Sequence, residues 1–143
     1  MLFLAAILNL VLVVICVLIH YEILRLVSSA MSEMHVRPRQ RLLVVISGAF
    51  VAHLLEICLF AGTYMLMQYQ FNMGGIEGVN AGAWEDFFYF SASSYTTLGM
   101  GDISPTGEMR SMVAIESLAG LVLIGWSTSF TYLSMRDFWN LGD

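Results

Sequence analysis

Three apolar runs, each long enough to cross a bilayer, constrain this chain more than any other feature. "MLFLAAILNLVLVVICVLI" fills residues 1–19, with Asn9 as its only strongly polar member. "LLVVISGAFVAHLLEICLFAGTYMLM" fills 42–67, and "SMVAIESLAGLVLIGWSTSFTYLSM" fills 111–135. At about 1.5 Å per residue the first run alone covers roughly 28 Å, close to the thickness of a hydrocarbon core. No Lys or Arg precedes it, so it lacks the charged leader of a cleavable signal peptide. It is expected to be a retained transmembrane helix that continues past His20 and Glu22. The composition agrees: 58% of residues are hydrophobic and 12% charged, with a mean hydropathy of +0.75. A soluble domain carries about twice that share of charge.

Arginine placement sets the expected orientation, because basic residues stay on the cytoplasmic side. There is no lysine. Arg25, Arg37, Arg39 and Arg41 lie between the first and second runs. Between the second and third, Arg110 stands against Glu77, Glu85, Asp86, Asp102 and Glu108. The first connection is therefore cytoplasmic, and the acidic one faces outside. The N-terminus lies outside, and the C-terminus, with Arg136, inside. "SAMSEMHVRPRQR" reads as an interfacial loop or short helix ending near Pro38, with arginines set near anionic lipid head groups. The net charge of −5 argues against a nucleic-acid partner. Cys16 and Cys58 fall inside apolar runs and read as buried free thiols.

"AWEDFFYFSASSYTT", residues 83–97, is too short and too polar to span. Its leading acids suit a helix N-terminus. The expectation is a short helix that dips into the membrane and returns through "TLGMGD". Irregular backbone at membrane depth survives only where protein surrounds it or water lines it. Three helices cannot enclose such a loop, so an oligomer follows. Gly99 and Gly101 permit the positive φ angles that point successive carbonyls one way. Thr97, Leu98, Gly99 and Met100 would then present backbone oxygens inward, and stacked rings of such oxygens replace the water shell of an alkali cation.

At these residues the chain resembles the tetrameric pore-loop potassium channels. That family's filter reads TVGYG, usually followed by Asp. Here the sequence is Thr97-Leu98-Gly99-Met100-Gly101-Asp102. "YFSASSYT" resembles the family's pore helix, "DISPT" its exit from the filter, and Gly120 stands where the family often has an inner-helix hinge. The resemblance covers 42–135. It implies an all-α membrane protein with three transmembrane helices, a re-entrant pore helix and a filter loop, assembling as a homotetramer in the plasma (inner) membrane. The implied organisation is an extra helix over 1–28, a cytoplasmic linker over 29–41 and a pore module over 42–136. Within that module the outer helix runs 42–68, the pore helix 84–96, the filter 97–102 and the inner helix 109–136, and a tail follows over 137–143. The implied function is passive potassium conduction, with potassium held by the carbonyls of Thr97, Leu98, Gly99 and Met100 and no cofactor. Met100 replaces the family's tyrosine. It leaves the carbonyl ladder but removes a rigid aromatic brace, since Met fills space without fixing geometry. A weakly selective monovalent cation channel is therefore an open alternative, as is a non-conducting scaffold or regulatory subunit with the same fold.

Ionisable groups at membrane depth face protein or water. His53 and Glu56 are one turn apart, and counting rise per residue puts Glu56 and Glu116 at similar depth, roughly 20 Å from the inner face. Two arrangements are open: a buried cluster of His53, Glu56 and Glu116 with Ser91, Ser94 or Tyr95 behind the filter, or separate, locally satisfied groups. In the third run Leu121, Ile124, Thr128 and Tyr132 share one helical face. That face either lines the pore or packs between helices. Gly120 is either a bend or a point of close approach. No helix carries arginine at every third position, so a voltage sensor is not expected. No nucleophile–base pair has credible spacing, so no enzyme is expected. Gating is left to the filter, the inner-helix mouth, the first helix or a regulatory partner.

Overall fold

The computed structural model describes residues 2–33, 38–78 and 83–139. It is a bundle of three long helices with a short fourth helix inserted between the second and third spans. α1 runs Leu2–Glu33, α2 Pro38–Tyr69, α3 Trp84–Tyr95 and α4 Met109–Trp139. α1, α2 and α4 each contain a stretch apolar and long enough to cross a membrane. In lipid the backbone must satisfy its own hydrogen bonds, and uninterrupted helix does so.

The connection between α1 and α2 is shorter than the expected 29–41 linker. Residues 29–33 continue α1, and Pro38 begins α2 rather than ending a segment. The physical reasons are local. "SAMSE" holds no helix breaker, and proline at a helix start loses only an N–H that has no intrahelical partner there. Arg37 lies outside the described residues. Arg25 pairs with Glu22 at 2.7 Å, one turn back on the exposed side of α1. α4 extends to Trp139, three residues beyond the expected end.

Each long helix buries one stripe. On α1 it is Ala5, Asn9, Leu12, Cys16, His20, Leu24 and Met31, spaced mostly by three and four. On α4 it is Met112, Glu116, Ala119, Leu123, Ser127 and Ser134. The core joins Leu12 and Cys16 of α1 to Phe60, Tyr64 and Met67 of α2, Phe87 and Phe90 of α3, and Met109, Met112 and Leu123 of α4. Tyr64 meets Phe90 edge-on at 5.2 Å, a favoured aromatic geometry. Asn9 Oδ1 has no partner among the described residues and lies at the wall of an apolar cavity of about 480 Å³ between α1 and α4.

α3 starts with Glu85 and Asp86 in its first turn, which complement the positive helix end. Asp86 Oδ2 accepts the Ala83 N–H at 2.9 Å, the backward half of a capping box. On either side of α3 the chain forms two short strands that an all-helical reading does not anticipate. β1 (Ile76–Gly78) and β2 (Ile103–Pro105) pair antiparallel, with Glu77 opposite Ser104. Gln68 Oε1 accepts the Ile76 N–H at 2.9 Å, and Thr106 N–H donates to the Gly75 carbonyl at 2.8 Å. These bonds fasten the exit of the loop after α3 to the top of α2.

Candidate functional site: a glycine loop and the polar groups behind it

The backbone after α3 alternates. Thr96 is right-handed with φ −81°, and Thr97, Gly99 and Gly101 all have positive φ, at 60°, 59° and 84°. Glycine accepts that conformation freely. Thr97 does not: a β-branched residue at positive φ is an outlier that surrounding contacts must hold. The Ser94 carbonyl accepts the Thr97 N–H at 3.0 Å, and the residues that follow are held by Ser93. Its carbonyl accepts the N–H groups of Leu98 at 2.9 Å and Gly99 at 3.2 Å, and its Oγ accepts the Met100 N–H at 3.1 Å. One serine thus draws three successive amides toward α3. Among the described residues, no hydrogen bond ends on the carbonyl oxygens of Thr97 through Gly101. The loop turns its donors inward to its own helix and leaves its acceptors unused. Leu98 and Met100 are 62% and 58% exposed.

Asp102 closes the loop. Its Oδ1 accepts from Tyr89 Oη at 3.2 Å and from the Ile103 N–H at 3.1 Å. Partial loss of water, and then the Asp102 carboxylate, raise the Tyr89 hydroxyl above its ordinary pKa, so it stays a donor.

Behind the loop the structure sorts the expected buried polar residues into two networks. In the first, Glu56 is fully buried and accepts from three side chains. His20 Nδ1 lies 3.0 Å from Oε1, His53 Nδ1 lies 3.3 Å from Oε2, and Tyr95 Oη donates to Oε2. His53 Nδ1 is also 2.9 Å from Tyr95 Oη, and His20 Nε2 is 3.1 Å from Ser127 Oγ. Both rings donate through Nδ1 when Glu56 is a carboxylate, and Ser127 then donates to Nε2. In the second network, Tyr64 Oη and Ser91 Oγ donate to Glu116 Oε2 and Oε1, each at 2.5 Å, and the Ile57 carbonyl is 2.9 Å from the same serine oxygen. Ser94 joins neither carboxylate: its hydroxyl donates to the Phe90 carbonyl, and its own carbonyl accepts from Ser117.

The single cluster of His53, Glu56 and Glu116 is therefore corrected. The two carboxylates hold different rungs of α3, Tyr95 and Ser91, one turn or about 6 Å apart. His20 is the residue that sequence reasoning passed over. Its signal was present: it is an ionisable group at the end of a long apolar run, and such a group at membrane depth needs a partner.

Gly120 faces the end of α3. A Cβ there would lie 2.1 Å from the Tyr95 carbonyl oxygen, and α4 runs unbroken through the position. Close approach to the Tyr95 carbonyl accounts for the glycine in this structure. Leu121, Ile124, Thr128 and Tyr132 are exposed, with Leu121 at 60% and Tyr132 at 64%. Their shared face is open in the single chain, with Ile124 the most covered of the four.

A model of the ion channel family, of the pore type with two transmembrane helices, matches residues 42–136. The chain belongs to this family. The match covers α2, α3, the glycine loop and nearly all of α4, and leaves α1 outside it. No match was found among curated proteins or among solved structures. The protein is a membrane-embedded ion channel whose pore module carries an additional helix.

Proposed function

We propose that this channel conducts potassium, as a homotetramer, through a filter built from Thr97, Leu98, Gly99, Met100, Gly101 and Asp102. One observation carries the reading. Three residues at alternate positions have positive φ, the intervening amides are tied to Ser93, and the carbonyls are left without partners. Four such loops around an axis give rings of oxygens that substitute for the hydration shell of a dehydrated monovalent cation. The carbonyls of Thr97, Leu98, Gly99 and Met100 are the ion ligands. The exposed face of Leu121, Ile124, Thr128 and Tyr132 lines the inner cavity, the arginine-bearing connection lies in the cytoplasm, and the membrane is the plasma membrane.

A second reading has its own support. Met100 is exposed and flexible at the position where a rigid ring would brace the loop. A ladder braced less firmly discriminates less between ions of different size, so a weakly selective cation channel is the rival.

Cation flux into proteoliposomes, comparing potassium with sodium, tests both. Flux of potassium well above sodium is expected. Equal flux establishes the weakly selective pore, and the absence of any flux from a folded tetramer establishes a non-conducting scaffold. Met100→Tyr is expected to raise the potassium-to-sodium ratio about tenfold, corresponding to roughly 1.4 kcal/mol of discrimination. An unchanged ratio would mean that the aromatic brace is irrelevant in this chain.

A further inference from the structure

Glu56 and its two histidines form a group that hydrogen bonding alone does not exhaust. His20 comes from α1, His53 and Glu56 from α2, and one ligand atom from each lies within 4.8 Å of the other two. Two imidazole nitrogens and a carboxylate oxygen are a donor set for zinc and similar divalent transition metals. Tetrahedral zinc, with bonds of about 2.0–2.1 Å to nitrogen and oxygen, spaces its ligand atoms roughly 3.3 Å apart. Here the two histidines approach the two oxygens of one carboxylate, His20 Nδ1 at 3.0 Å from Oε1 and His53 Nδ1 at 3.3 Å from Oε2, so a bound ion would draw the three ligand atoms together from within 4.8 Å.

The surroundings fit a metal as well. A ligating histidine usually donates its second ring N–H to a fixed acceptor. His20 Nε2 has Ser127 Oγ at 3.1 Å. A hydroxyl both donates and accepts. Without metal the serine donates to Nε2. With metal on Nδ1 the ring takes the other tautomer, and the serine accepts. Tyr95 Oη, 2.9 Å from His53 Nδ1 and bonded to Glu56 Oε2, is placed to serve as a fourth ligand. Glu56 supplies one negative charge to offset the ion, and Tyr95 supplies a second if it releases its proton. His20 and Glu56 are fully buried, but His53 keeps 19% of its side chain exposed, which gives an ion a way in.

We propose that His20, His53 and Glu56, with Tyr95, bind a divalent transition-metal ion of the zinc type that joins the first helix to the pore module. The site is distinct from the filter, and its ligand is an ion that stays rather than passes. Bound metal would fix Tyr95, the last residue of α3, two residues before the loop turns at Thr97. Any effect on conduction rests on the channel reading, whereas binding itself does not.

The test uses the full chain in detergent, titrated with cobalt(II) as a spectroscopic stand-in and competed with zinc. Visible absorption of a tetrahedral nitrogen–oxygen site is expected, displaced by zinc and lost in the double variant His20→Ala/His53→Ala. Ser127→Ala is expected to weaken zinc binding about 10–100-fold while leaving the spectrum in place. Absence of the spectrum in the wild-type protein overturns the site, as does binding that survives the double variant. An intense thiolate-to-cobalt band also overturns it, because Cys16, one turn from His20, would then be the ligand. Should the double variant fail to fold, X-ray absorption of the zinc-loaded wild type decides. Two imidazoles in the first coordination sphere are expected, and none would refute the assignment.

Discussion

Gly120 shows how much a single hydrogen atom in place of a methyl can decide. The helix passes so close to the Tyr95 carbonyl that a Cβ would sit 2.1 Å from its oxygen. The obstacle is backbone, so no side chain can step aside, and α4 or the end of α3 must move. Overpacking of this kind costs about 1–3 kcal/mol, and a backbone obstacle puts it toward the upper figure. Gly125 lies on the same helix with nothing within 4 Å of its Cβ position. Gly120→Ala is expected to lower the melting temperature in detergent and reduce flux, while Gly125→Ala does neither. Equal effects of the two would show that helix propensity, not the approach to Tyr95, sets the requirement. The sequence made Gly120 notable but left its role open, because a glycine in a helix looks the same whether it bends or is approached. Thr97 was legible only in part. Glycine signalled positive φ at 99 and 101, whereas Thr97 is held by its own N–H on the Ser94 carbonyl and by the following amides gathered at Ser93, contacts that no residue type announces.

At the scale of elements, α1 was recognisable from hydropathy, but its purpose was not. Lipid-facing and protein-facing surfaces of a transmembrane helix are both apolar, so periodicity gives little phase information. Besides its apolar stripe, α1 makes polar contacts through His20, to Glu56 of α2 and Ser127 of α4, and the first couples a helix outside the matched module to the end of α3. A buried carboxylate with three donors is stable because the donors replace its lost hydration, and removing one leaves it short. Tyr95→Phe and His20→Ala are each expected to cost about 1–3 kcal/mol, the range for hydrogen bonds to charged groups. Since both bonds end on Glu56, the double variant should depart from additivity by about 0.5 kcal/mol or more. Thermal or denaturant unfolding of the four proteins gives the coupling. A coupling of zero would mean that α1 and α3 do not communicate through this carboxylate. The two-network arrangement was not legible for a related reason: residue counting gives a position along a helix, but not which hydroxyl of α3, Tyr95 or Ser91, each carboxylate meets.

For the molecule as a whole, charge is distributed along the membrane normal rather than around a core. Glu77, Glu85, Asp86, Asp102 and Glu108 lie on the side where α3 begins and the loop ends, with Arg110 as the single basic residue among them. That these acids share one connection was legible, because it needs only the order of the apolar runs and the charges between them. In the proposed tetramer the set repeats four times around the pore entrance, where low-dielectric walls focus the field and enrich cations. Asp86 is committed to the α3 cap and Asp102 to Tyr89 and the loop, so neither can be neutralised without disturbing structure. Glu77 and Glu85 are exposed and free of those duties. Glu77→Gln/Glu85→Gln is therefore expected to lower single-channel conductance roughly twofold at ~0.01 M salt, where the screening length is about 30 Å. At about 1 M salt that length falls to roughly 3 Å, and the variant should match the wild type. A deficit that persists at high salt would point to altered loop geometry instead of a lost surface field. No deficit at either salt would mean that cations reach the filter without help from the outer acids.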